Sequence, residues 1–183
     1  QHLCESGKEV ACFELKKIEL SELNEPSPSD LRDFMDDFWF MCNRFSYVVP
    51  QACDERDKTA QRYIRAVLAL PKEEKSSYYV EKLDLLSYQT GSLSPKILQM
   101  ASSARDEIIG EYENDCQIND AKSCAMLTSF YYGLLVNWRI DYLKSSPPFD
   151  RYDREVDEIY APKFQALAQK SCDLGNVESC MQG

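Results

Sequence analysis

Apolar residues recur along this chain at intervals of three and four, in separate blocks. Leu31, Phe34, Met35, Phe38, Met41, Cys42 and Phe45 draw one stripe down a helix face. Ile97, Ala101, Ala104, Ile108, Tyr112 and Cys116 draw a second, and Cys124, Thr128, Tyr131, Leu135, Trp138 and Tyr142 a third. Weaker versions run through Ala60, Tyr63, Ile64, Val67 and Leu68 and through Tyr79, Leu83 and Leu86. No segment alternates with the period of two that a half-buried strand requires, so the pattern predicts an all-α chain. Proline stands at or just before three helix starts, at Pro28, Pro95 and Pro162, where its missing N–H costs nothing. Pro71, Gly91 and Pro147-Pro148 separate elements. The predicted helices are 8–23, 29–45, 51–69, 73–89, 95–116, 120–144, 150–160 and 162–174, with a stub from 177.

Eight cysteines fall at 4, 12, 42, 53, 116, 124, 172 and 180, as four sequential couples. Three couples are eight residues apart with Gly7, Asn119 or Gly175 at the same interior place. Gly and Asn adopt most readily the left-handed conformation that ends a helix. A helix that stops there and reverses sets Cys i beside Cys i+8, whereas on one continuous helix they lie about 12 Å apart, too far to bridge. The spacing therefore predicts four local disulfides, Cys4–Cys12, Cys42–Cys53, Cys116–Cys124 and Cys172–Cys180, each stapling a helix–helix corner. Zinc is the competing reading. It is weaker, because close Cys-x₂₋₄-Cys pairs are absent and the one histidine is His2. No metal or other cofactor is expected. Four disulfides imply an oxidising compartment, periplasmic or secreted. Gln1-His-Leu-Cys4 has no apolar signal core, which reads as a mature or trimmed chain. No Asn-x-Ser/Thr sequon occurs, in keeping with a bacterial source.

Composition narrows the classes further. In 183 residues, 31 Asp and Glu oppose 21 Lys and Arg, giving a formal charge of −10 that disfavours nucleic acid as a partner. No apolar run reaches the roughly 18 residues of a membrane span. Asp30, Asp33 and Asp37 share a helix face, as do Asp150, Asp153 and Asp157. They would steer a basic partner, or simply form solvated helix faces. No calcium loop of the Asp-x-Asp-x-Asp-Gly kind accompanies them. Catalysis is not expected. One histidine excludes most triads, no lysine has serine three residues before it, and the even cysteine count leaves no free nucleophile.

Lys122-Ser-Cys124 recurs as Lys170-Ser-Cys172, and the Cys-x-x-(Gly/Asn)-x-x-x-x-Cys corner occurs three times. The segment Ser123-Cys-Ala-Met-Leu-Thr-Ser-Phe-Tyr131-Tyr132-Gly133 resembles the first helix of a Sel1-like repeat. Ala166-Leu-Ala-Gln-Lys-Ser-Cys172-Asp-Leu-Gly175-Asn resembles the end of its second helix. The likeness covers 4–15, 112–133 and 164–183, while Cys116 and Cys172 stand 56 residues apart where the repeat is about 36. It implies one repeat domain over 1–183: a right-handed α-solenoid of antiparallel helix pairs, tetratricopeptide-like, disulfide-stapled and irregular in the middle. Family precedent implies an exported bacterial protein that binds another protein on a concave helical surface, as a monomer or in complex with that partner. On that reading Tyr131, Tyr132, Trp138 and Tyr142 are candidate partner contacts, Tyr and Trp being favoured anchors. Phe38, Trp39 and Phe40 are consecutive and cannot all share one helix face, so at least one leaves the core, and Trp39 is the further candidate contact. The competing assignment places these rings in the interhelix core. The leading expectation is a non-enzymatic adaptor; a periplasmic immunity or inhibitor protein comes second and a β-lactam-binding or hydrolysing envelope protein third.

Overall fold

The computed structural model describes residues 8–78, 94–144, 158 and 160–182. Every regular element among them is helical: α1 (Glu9–Glu22), α2 (Pro28–Phe45), α3 (Gln51–Leu68), α4 (Lys72–Tyr78), α5 (Pro95–Gln117), α6 (Ala121–Lys144), α7 (Ala161–Asp173) and α8 (Val177–Gln182). All of the predicted helix 150–160 except residues 158 and 160, and the later part of 73–89, lie outside the described residues. The chain divides into two compact units, Gln1–Arg105 and Asp106–Gly183, with the seam inside α5.

In the first unit α2 and α3 form the main hairpin. Leu31, Met35, Phe38, Met41 and Cys42 of α2 are buried, as are Ala52, Thr59, Ala60, Tyr63, Ile64 and Val67 of α3. Phe38 and Tyr63 are fully enclosed, and burying a ring of that size stabilises by about 1.5–3 kcal/mol. Helix α1 lies antiparallel on α2: Phe13 meets Phe38 edge-on at 5.8 Å, while Lys16 pairs with Asp37 at 3.0 Å and sits over the Phe34 ring. Helix α2 opens on a capping box. The Asp30 N–H donates to the Ser27 hydroxyl at 3.2 Å and the Ser27 N–H to the Asp30 carboxylate at 2.9 Å, with Pro28 at the first helical position.

In the second unit α6 runs antiparallel to the end of α5, with Cys116 beside Cys124 and Glu113 beside Tyr131. Helix α7 packs on α6 and travels in the direction of α5. Its Lys163 stands by Glu113, and its Lys170 donates to the Gln117 carbonyl at 3.4 Å. The short α8 folds back on α7, where the Ser179 hydroxyl donates to that of buried Ser171 at 2.9 Å.

Three of the expected disulfides are formed, Cys42–Cys53, Cys116–Cys124 and Cys172–Cys180, each with Cα atoms 4.8 Å apart. Cys4–Cys12 lies outside the described residues. Two corners share one mechanism. Asn119 (φ 67°) and Gly175 (φ 95°) adopt the left-handed conformation at the ends of α5 and α7. The Asp120 N–H then reaches back to the Asp115 carbonyl and the Asn176 N–H to the Ser171 carbonyl, both at 3.0 Å, which satisfies helix-end acceptors. The next side chain starts the following helix: Asp120 accepts from the Ser123 N–H at 2.8 Å, and Asn176 from the Ser179 N–H at 3.0 Å. The α2–α3 corner is built differently. Val48 and Val49 both donate to the Phe45 carbonyl, Val49 is buried, and Pro50 opens α3 without a side-chain cap.

Candidate functional site

The second unit holds a cleft of about 350 Å³ between the end of α5, the start of α6 and α7. Its floor is apolar, made by Cys116, Leu127, Ala166 and Leu167, and its rim is polar, with Glu113, Gln117, Lys163 and Lys170. Lys163 and Lys170 are seven residues apart on α7, two helical turns, so both ammonium groups meet the same opening. The Glu113 carboxylate lies 3.7 Å from Lys163.

Tyr131 closes the α6 side of this rim group. Its ring is buried, with Phe130 at 5.0 Å and Tyr160 at 6.1 Å, and the Lys163 ammonium stands 5.6 Å from its centre. The phenol donates to Glu113 at 3.4 Å and accepts from Lys163 at 3.5 Å. Burial, seconded by the Glu113 carboxylate, pushes the Tyr131 phenol above its ordinary value against the opposing pull of Lys163. The Lys163 ammonium is raised as well, through attraction to the Tyr131 oxygen and then to Glu113, with desolvation acting the other way. Burial thus favours the neutral phenol of Tyr131, while the phenol oxygen and Glu113 favour the charged form of Lys163.

The candidate contacts read from the sequence are placed unequally. Tyr131 is buried, with its hydroxyl and ring face both turned to this cluster, whereas Tyr132 is 43% exposed with its ring 5.8 Å from that of Phe164. The side chains of Trp138 and Tyr142 lie outside the described residues. Trp39 belongs to the other unit and is half-buried on α2; its neighbour Phe40, 45% exposed, is the most open of the three consecutive rings. Asp30 is engaged in the cap of α2 and Asp37 by Lys16, and no metal-binding cluster occurs among the described residues. Asp150, Asp153 and Asp157 lie outside them.

Sequence reasoning missed Glu113, Lys163 and Lys170. The signal was present in part, since Lys163 and Lys170 repeat with a helix-face period inside the predicted helix 162–174. Their meeting with the end of α5, Lys163 at Glu113 and Lys170 at the Gln117 carbonyl, 50 residues or more away in sequence, had no local sign. It also missed Tyr47 and Val48, exposed at the tip of the α2–α3 corner. No protein-family model, no curated protein and no solved structure matches the chain. No helix among the described residues is long and apolar enough to cross a membrane.

Proposed function

We propose that the chain is an exported, non-enzymatic scaffold that binds another protein, built as a right-handed solenoid of Sel1-like hairpins. Three disulfides fit an oxidising compartment and support a periplasmic or secreted setting. Two corners with the same stop, cap and staple chemistry support the repeat reading, as does the shared direction of α5 and α7 on either side of α6.

The observation that carries the binding role is the α5–α6–α7 cleft. It puts two lysines above an apolar floor in a chain of net charge −10. The matching partner feature is an aliphatic side chain flanked by a carboxylate, the first entering between Leu127 and Leu167 and the second meeting Lys163 and Lys170. Immobilised chain is expected to retain a partner protein from an envelope extract. Lys163→Glu with Lys170→Glu, or Leu167→Arg alone, is expected to reduce that retention at least about tenfold, with helical circular dichroism unchanged. Undiminished retention by both variants removes the cleft from the function. A single stoichiometric enzyme as the retained protein narrows the role to that of an inhibitor.

A further inference from the structure

Cys42 is 7% exposed, Cys53 is half-buried, and the Arg56 guanidinium is 2% exposed beside them. Its Nη1 donates to Cys42 Sγ at 3.4 Å, while Nε and Nη2 are held by Asp57 Oδ1 at 2.9 and 2.6 Å. The placement follows from helix geometry. Cys53 and Arg56 are three residues apart on α3 and share a face, and the disulfide holds Cys42 against that face. The other two staples have a different electrostatic setting. Cys124 Sγ lies 3.5 Å from the Cys116 carbonyl oxygen and Cys180 Sγ 3.4 Å from that of Asn176. A carbonyl oxygen disfavours a thiolate at that sulfur, whereas a guanidinium favours it.

We propose that Cys42–Cys53 is a thiol–disulfide exchange site at which a dithiol reductant attacks Cys53 and Cys42 departs as a thiolate held by Arg56. The reductant's thiolate forms a bond to the more accessible Cys53 sulfur. The Cys42–Cys53 bond breaks, and its electron pair stays on Cys42 beside Nη1. The reductant's second thiol, after losing its proton to solvent, attacks the mixed disulfide and releases Cys53, which takes up a proton. Two electrons pass to the pair, and the reductant leaves as its own disulfide. The leaving thiol's acidity sets the rate of such exchange, so the buried cation accelerates opening at this staple. Asp57 withdraws part of that charge. Opening unties the α2–α3 corner that carries exposed Tyr47 and Val48.

The test is timed reduction of the folded chain by dithiothreitol, quenched with iodoacetamide and mapped by mass for each disulfide. Arg56→Gln is expected to slow opening of Cys42–Cys53 at least about fivefold, leaving Cys116–Cys124 and Cys172–Cys180 unchanged as internal controls. Arg56→Lys is expected to restore most of the rate, and Asp57→Asn to raise it several-fold at this staple alone. Equal Cys42–Cys53 rates in the wild type and Arg56→Gln overturn the proposal. If Arg56→Gln speeds all three staples together, as an unfolded corner would, Asp57→Asn decides. Faster opening confined to Cys42–Cys53 then sustains the proposal, and an unchanged rate ends it.

Discussion

The Cys42–Cys53 corner of the first unit and the Cys116–Cys124 corner of the second bring their Cα atoms to the same 4.8 Å by different means. In the second unit the reversal is written in consecutive residues. Asn119 supplies the left-handed turn, Asp120 caps the next helix, and the cysteines close around them. In the first unit no residue of the turn has a positive φ, and the reversal is held by burial of Val49 and by Arg56 beneath the sulfurs. A tight chain reversal can therefore be fixed by local hydrogen bonds or by tertiary packing, and the two should fail differently when the staple is removed.

The largest expected effect comes from that removal. Cys116→Ala with Cys124→Ala is expected to cost about 2–3 kcal/mol, the chain-entropy value for a loop of this length. Cys42→Ala with Cys53→Ala is expected to cost at least about 1 kcal/mol more, because Arg56 loses its sulfur acceptor while buried. Urea denaturation of both double variants measures the difference, and equal losses erase the distinction between the corners. Next in size is Gly175→Ala. An added Cβ meets nothing within 4 Å, so only the backbone at φ 95° resists it, and the expected cost is about 1–2 kcal/mol in the same assay. No loss would show that the left-handed residue is dispensable where the cap and disulfide remain.

The smallest effect concerns the one strong polar cap described in the first unit, at the start of α2. Hydrogen bonds from the Ser27 hydroxyl and then the Ser27 N–H hold the Asp30 carboxyl below its ordinary value. With the folded value depressed, this contribution is complete above the unfolded pKa and is lost as pH falls through the folded one. In Ser27→Ala the Asp30 titration, followed by NMR, is expected to move up towards an ordinary carboxylate, with earlier fraying of α2 in acid. An unmoved titration would assign the shift to the backbone bond alone.

Which parts of the molecule the sequence disclosed follows the same division between local and distant causes. Helices α2, α5 and α7 begin and end within about two residues of the positions read from periodicity, because their apolar stripes and starting prolines are local features. Asn119 and Gly175 were legible for the same reason, since a left-handed helix end favours those two residue types. The pairing of Cys42 with Cys53 was legible, but its support was not: Val49 lies in the turn with no spacing signal, and Arg56, although in step with Ala52, Ala60 and Tyr63, is of a charged residue type that normally stays exposed. Among the consecutive rings, spacing required at least one to leave the core face, yet which one depended on α1 covering Phe38. The cleft was the least legible part. Its rim joins Glu113 to Lys163 through the packing of α7 on α6, across a stretch with no pattern linking them.

The nine residues from Cys116 to Cys124 have a consequence for how such a chain grows. They end one helix, begin the next and join the two through their own hydrogen bonds and disulfide, so they would serve as a portable cassette. Duplication that copies a hairpin together with this cassette inherits a working joint at once, while the rods between joints remain free to lengthen or drift.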